Sequence, residues 1–202
     1  MERSTKIWIG VGIGVVALGI TAYIFRKKIF SAARKTFGGY KWFEEGLEWY
    51  RNQTLKDGVE SLHPDYRDDV KEFFSWMEKE TDWHPVWSSG YRTFEKQAQL
   101  YAQNSKNAPA GKSDHNYGFA MDINIRNKKT GVQLFKADSK AKWEASGIPQ
   151  KAKELGFEWG GDFANYHDPV HFAKAGVPST TKLLSLHNEG KVDSQGYVKL
   201  AA

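Results

Sequence analysis

The sequence predicts an α+β domain behind one apolar N-terminal segment, and three observations carry that expectation. Tyr66, Val70, Phe73, Phe74 and Met77 recur at helical spacing and form one apolar stripe. Ala120, Ile123 and Ile125 are interleaved with Asp122 and Asn124, as in a half-buried strand entering a core. Helical and strand patterns occupy separate stretches, so a small antiparallel sheet flanked by helices is expected.

The 202 residues suffice for one domain with a sizeable core plus an appendage. With no cysteine, disulfides and thiolate metal ligands are excluded. A net charge of +5 favours anionic surfaces such as wall polymers or lipid headgroups. No nucleic-acid motif accompanies that charge, and no nucleic-acid partner is expected.

Residues 7–25 carry no charge and are long enough to span a bilayer core, with Trp8 and Tyr23 near the two ends. Residues 1–28 therefore read as a single-pass transmembrane anchor. The alternative is a cleaved signal peptide. Arg26-Lys27-Lys28 directly behind the segment and the weak site Ser31-Ala32-Ala33 argue against it. Gly10 and Gly14 would allow two such helices to associate closely. Residues 29–60 read as a basic, aromatic juxtamembrane linker in which Phe43, Leu47 and Tyr50 share a helical face. Two readings stay open there: a helix lying on headgroups, or one packed on the domain.

The domain proper is expected over residues 61–180. Pro64 and Asp65 open the first helix, as a proline and an acid in the first turn should. A short strand over Val86 to Ser88 follows, then a helix marked by Phe94, Ala98 and Tyr101. The polar stretch from Gln103 to Lys112 reads as a loop. After the strand at Ala120, the run Asn127 to Gly131 predicts a hairpin turn and Val132 to Phe135 the returning strand. Ile148, Ala152 and Leu155 mark a helix opened by Pro149 and closed by Gly156. Phe157 to Trp159 predicts a strand, Gly160-Gly161 a tight turn, and His171-Phe172 another strand. Residues 181–202 predict a short helix (Leu183, Leu184, Leu186) and a terminal strand at Tyr197 to Leu200.

The chemistry is concentrated in Ser113 to Asp122. His115 and Asp122 stand seven residues apart with Gly118 between them, a histidine on a loop and an aspartate on the following strand. A pair of this kind is satisfied by a mutual hydrogen bond, or, with a third donor, by a metal ion. The late segment Asp168-Pro169-Val170-His171 offers that donor. Two histidines and a carboxylate suit zinc with an open coordination position.

Three blocks carry a resemblance. Residues 113–122 fit S-x-H-x-x-G-x-A-x-D, residues 156–171 read GFEWGGDF followed by D-x-x-H, and residues 89–93 read SGYRT. Together they resemble the zinc peptidases of family M15, the D-Ala-D-Ala carboxypeptidases and L-alanyl-D-glutamate endopeptidases. The resemblance covers roughly residues 60–175. It implies the compact α+β domain shared with the hedgehog signalling domain, one Zn²⁺ per chain on His115, Asp122 and His171, and peptidoglycan stem peptide as substrate. It also implies Asp168 as general base and Arg92 as partner of an oxyanion or a substrate carboxylate. Ser113 is expected to orient a ligand by hydrogen bond, and His167 to lie behind the ligands or on the surface. Asp162 and Glu158 are expected to be structural.

An aspartate at position 168 looks more like the phage endolysin-type endopeptidases. The D-Ala-D-Ala carboxypeptidase activity stays open as the alternative, as does an inactive zinc-stabilised module that docks on the cell wall. Topology sets two expectations against each other. Arg3 and Lys6 precede the apolar segment, whereas Arg26, Lys27, Lys28, Arg34 and Lys35 follow it, which favours a cytoplasmic domain. A wall peptidase must meet its substrate outside the inner membrane. The expectation is an anchored domain acting on the wall side, of a bacterial inner membrane or from a membrane-containing virion.

Overall fold

The structure, a computed structural model, describes residues 53–200. The anchor expected over residues 1–28, the Gly10 and Gly14 contact, and the linker face of Phe43, Leu47 and Tyr50 lie outside the described residues. Among the described residues no helix is long and apolar enough to cross a membrane.

A helical run over residues 53–60 leads into α1, Pro64–Glu80. Three features fix its start. The His63 side chain caps it by accepting from the Asp65 amide at 3.1 Å, Pro64 sits where no amide is needed, and Asp65 faces the positive helix end. The expected stripe is its buried face. Phe73 packs on Phe157 and Phe172, with ring centroids 5.2 and 5.7 Å apart, so the helix is seated on the strands that carry those rings. Truncating such a core ring to alanine costs about 3–5 kcal/mol.

The sheet has five strands, ordered β1 (Trp83–Ser89), β2 (Ala120–Asn127), β5 (His171–Lys174) and β4 (Phe157–Trp159), with β3 (Gln133–Leu134) also pairing β2. Every pairing is antiparallel. Alternation along β2 buries Met121, Ile123 and Ile125 and turns Asp122 to the opposite face. Register does the rest: Asp122 lies opposite Ser89 on β1 and opposite His171 on β5.

Helix α2 (Phe94–Gln103) is capped by Thr93, whose hydroxyl accepts from the Lys96 amide at 3.1 Å. Its buried residue is Gln97, while of the residues that mark the helix Phe94 is half-buried against the core and Ala98 and Tyr101 are exposed. The reason is polar: Gln97 Nε2 donates to the Ala108 carbonyl at 2.6 Å and pins the loop beyond the helix. Short α3 (Lys140–Glu144) has no counterpart among the sequence expectations, and it exists to bury Trp143, whose Nε1 donates to the Phe135 carbonyl at 3.1 Å. Helix α4 (Ile148–Glu154) carries Pro149 in its first turn, and Gly156 follows at φ 81°.

The strand expected over residues 132–135 shrinks to Gln133–Leu134. Helix α5 (Thr180–Asn188) contributes Leu183 and Leu186 to the same core as α1 and the sheet. The expected terminal strand is reduced to a single bridge between Val192 and Val198.

Candidate metal centre

His115 arrives on a 3-10 turn, Asp114–Tyr117, that ends in Gly118 at φ 75°. L-residues rarely adopt that conformation, and a Cβ there would meet the His63 backbone nitrogen at 2.5 Å. The His115 imidazole donates from Nδ1 to the Gly90 carbonyl at 2.7 Å, while its own carbonyl accepts from the Arg92 amide at 2.9 Å. Residues of the SGYRT block therefore grip His115 by ring and backbone.

The donation to Gly90 leaves Nε2 with a lone pair. That atom lies 3.2 Å from Asp122 Oδ1 and 3.2 Å from His171 Nδ1, and His171 Nδ1 lies 3.1 Å from Asp122 Oδ1. Three donors at these separations suit one cation. Ligand atoms about 2.0 Å from a tetrahedral ion are about 3.3 Å apart, close to the observed triangle. Among the described residues this is a set able to hold a metal ion.

The protonation states fit. Burial, chiefly, holds the His115 imidazole below its ordinary value, keeping it neutral near neutral pH. Burial works against the Asp122 carboxylate, but its close contacts with His115 and His171 outweigh it and hold the group well below the ordinary range. Neutral imidazole and ionised carboxylate are the forms a metal needs.

Arg92 supports this set. Its Nη2 donates to Asp122 Oδ2, its Nε to Ser89 Oγ at 2.9 Å, and its Nη1 to Gln97 Oε1 at 3.5 Å. Asn116 completes the support: its side chain donates to the Arg92 carbonyl at 2.9 Å and accepts from the Gly111 amide at 2.9 Å. Sequence reading passed over Asn116 and Gln97 because the bonds that define them run to backbone groups elsewhere in the chain.

Asp168 is held in a tight turn before His171, whose amide donates to the Asp168 carbonyl at 3.0 Å. Gly160 permits that turn, since a Cβ there would lie 2.4 Å from the Asp168 carbonyl oxygen and 2.9 Å from His171 Cβ. The carboxylate is asymmetric. Oδ2 accepts from Lys136 Nζ at 2.7 Å, whereas Oδ1 is buried with no partner. A buried oxygen of this kind calls for a group that the protein itself does not supply.

Ser113 occupies the cap position of the 3-10 turn without a side-chain capping bond. His167 is exposed and donates to the Asp138 carbonyl at 2.8 Å, joining two loops. Asp162 pairs with Lys140 and Lys153, bonds that draw its carboxyl below the ordinary value, and Glu158 is exposed on β4.

Residues 106–174 match the model of the D-alanyl-D-alanine carboxypeptidase family. A curated relative is the peptidoglycan L-alanyl-D-glutamate endopeptidase CwlK of Bacillus subtilis, 32% identical over 96 residues, a match covering 43% of this chain and 58% of CwlK. The chain thus spans less than two thirds of that relative's length. Among solved structures, the L-Ala D-Glu endopeptidase ChiX of Serratia marcescens is 23% identical, covering 59% of this chain and 85% of that one at a TM-score of 0.45. The D,D-pentapeptidase VanY from a VanB-type vancomycin resistance cassette, solved with Zn(II), is 18% identical, covering 61% and 78% at a TM-score of 0.43.

Proposed function

We propose that this chain is a zinc-dependent peptidase of bacterial cell-wall stem peptides that cleaves between L-alanine and D-glutamate. The observation that carries the reading is the triangle of His115 Nε2, Asp122 Oδ1 and His171 Nδ1, together with the buried, unpartnered carboxylate oxygen of Asp168 three residues before His171. His115, Asp122 and His171 would hold the ion. Zinc, when bound, supplies Lewis-acid activation of water and of the scissile carbonyl.

The chain's own groups do the rest. Asp168 takes the proton of the attacking water and passes it to the leaving amine. Guanidinium N–H groups of Arg92 not spent on Asp122, Ser89 and Gln97 are the donors for the developing oxyanion. The relative CwlK, named as an endopeptidase for the same bond, supports this choice of bond. The family matched by residues 106–174 is described by D-alanyl-D-alanine carboxypeptidase activity, which makes removal of terminal D-alanine the second reading. The domain would belong to the hedgehog/DD-peptidase-like folds, anchored by residues 7–25 and acting on the wall side.

Digestion of purified peptidoglycan with zinc-loaded protein, followed by mass spectrometry of the new termini, tests the reading. New D-glutamyl amino termini are expected. Released D-alanine would favour the second reading, and unaltered peptidoglycan would leave the zinc-stabilised docking module.

A further inference from the structure

We propose that Lys136 recognises a carboxylate on the substrate residue whose amine leaves, and that it does so by exchanging Asp168 for that carboxylate. The inference rests on the peptidase reading above and assigns the charge preference of the same site.

Lys136 follows β3 and is 60% exposed, whereas the Asp168 side chain it holds at 2.7 Å is 15% exposed. The ion pair therefore has its cation on the solvent side and its anion on the inner side. Phe135, beside Lys136, and Tyr166, two residues before Asp168, expose large rings. Phe163 links this edge to the metal set, with ring centroids 5.0 Å from Tyr166 and 5.7 Å from His171. Lys136, through Asp168, and Tyr166, through Phe163, thus connect the surface to the segment that carries the ligand His171.

Arg92 is committed on the inner side, by Asp122, Ser89 and Gln97. Lys136 is committed only to Asp168 Oδ2 among the described contacts. The ammonium end of this pair is exposed and its stem flexible, so an anion arriving from solvent can reach it. An incoming carboxylate can take the place of Oδ2 on the ammonium, whose three donors and flexible stem suit that exchange. Oδ1, the buried oxygen, is untouched by it.

The chemistry recognised is a carboxylate on the amine-side residue. A D-glutamyl residue carries one beside the scissile nitrogen, and a terminal D-alanine carries one as its chain end. Two peptide pairs separate these sources: an L-alanyl-D-glutamate peptide and its α-carboxamide, and a D-alanyl-D-alanine peptide and its terminal amide.

With zinc-loaded protein, the acid of one pair is expected to be cleaved about tenfold better than its amide, the difference lying mainly in KM. Lys136→Met should bring acid and amide within about twofold, Lys136→Arg should keep the preference, and Lys136→Glu should reverse it. Zinc content equal to the parent's confirms that the variants are folded. Calorimetry with the same peptides and metal-free protein supplies a readout independent of turnover, in which Lys136→Met should lose the tighter binding of the acid. A parent without preference, or a preference that survives Lys136→Met, overturns the inference alone. A parent that cleaves neither the peptides nor peptidoglycan overturns the peptidase reading and this inference with it.

Discussion

Asp122 and His171 are register partners on adjacent antiparallel strands, with Oδ1 and Nδ1 3.1 Å apart. Two of three candidate ligands are thereby spaced by a backbone ladder, and His115 is brought to them by a turn held through Gly90 and Arg92. The arrangement is pre-formed by the fold.

One zinc per chain is expected by elemental analysis of the purified protein. His115→Ala should lose both stoichiometric zinc and activity, because two remaining ligands make too weak a site. Full zinc occupancy in that variant would rule the triangle out.

Asp168→Ala should keep its zinc and lose about 10²- to 10⁴-fold in turnover, the range for a general base. Near-parental hydrolysis of peptidoglycan by this variant would remove Asp168 from the reaction. His167 is poorly placed to substitute, since its Nε2 is spent on Asp138.

Arg92→Lys should also be impaired, in metal retention as well as rate. A lysine ammonium cannot meet Asp122, Ser89 and Gln97 at once as the guanidinium does. Unchanged zinc affinity, measured by competition with a chelator, together with unchanged kcat would contradict this.

The metal-free protein should lose stability on acidification. His115 is held below its ordinary value by burial, so the unfolded chain takes up its proton first and stability drains as the pH falls below about 6.5. Asp122, also depressed, contributes stability that is present above its unfolded value of about 3.9 and is lost as the pH falls through its lower folded value. Thermal melts across this range should show Tm falling in two stages. A flat profile from pH about 7 to 5 would show that His115 titrates alike in both states.

Protease shaving of spheroplasts expressing a tagged full-length chain tests the proposed wall-side location. Digestion of the domain alongside a periplasmic control is expected. A protected domain would eliminate simple outward insertion and leave later release, or delivery from a virion, as the routes.

What could be read from the sequence was local. The α1 stripe and the β2 alternation are periodic patterns, and both mark buried faces in the structure. The α2 helix was legible from Phe94, Ala98 and Tyr101, but the burial of Gln97 was not, because it follows a hydrogen bond to Ala108 and not apolarity. Five-residue α3 is too short to show a period, and Trp143 alone does not announce it. The donors of the site could be named as residue types, but the register setting Asp122 against His171 could not. Nor could the contact of Lys136 with Asp168, 32 residues away, because an exposed lysine carries no sequence signal for its partner.

The far end of the described chain reaches this centre too. His63 Nε2 donates to the Val198 carbonyl at 2.9 Å, Tyr197 Oη donates to the Ser61 carbonyl at 2.9 Å, and the His63 amide donates to the Gly118 carbonyl at 3.0 Å. Val198 thus acts as a keystone, locking the residue on which the His115 turn leans. Trimming the chain back to residue 190, as a boundary drawn after α5 would invite, should loosen that turn and show itself as faster zinc loss. A purification tag belongs at the other end.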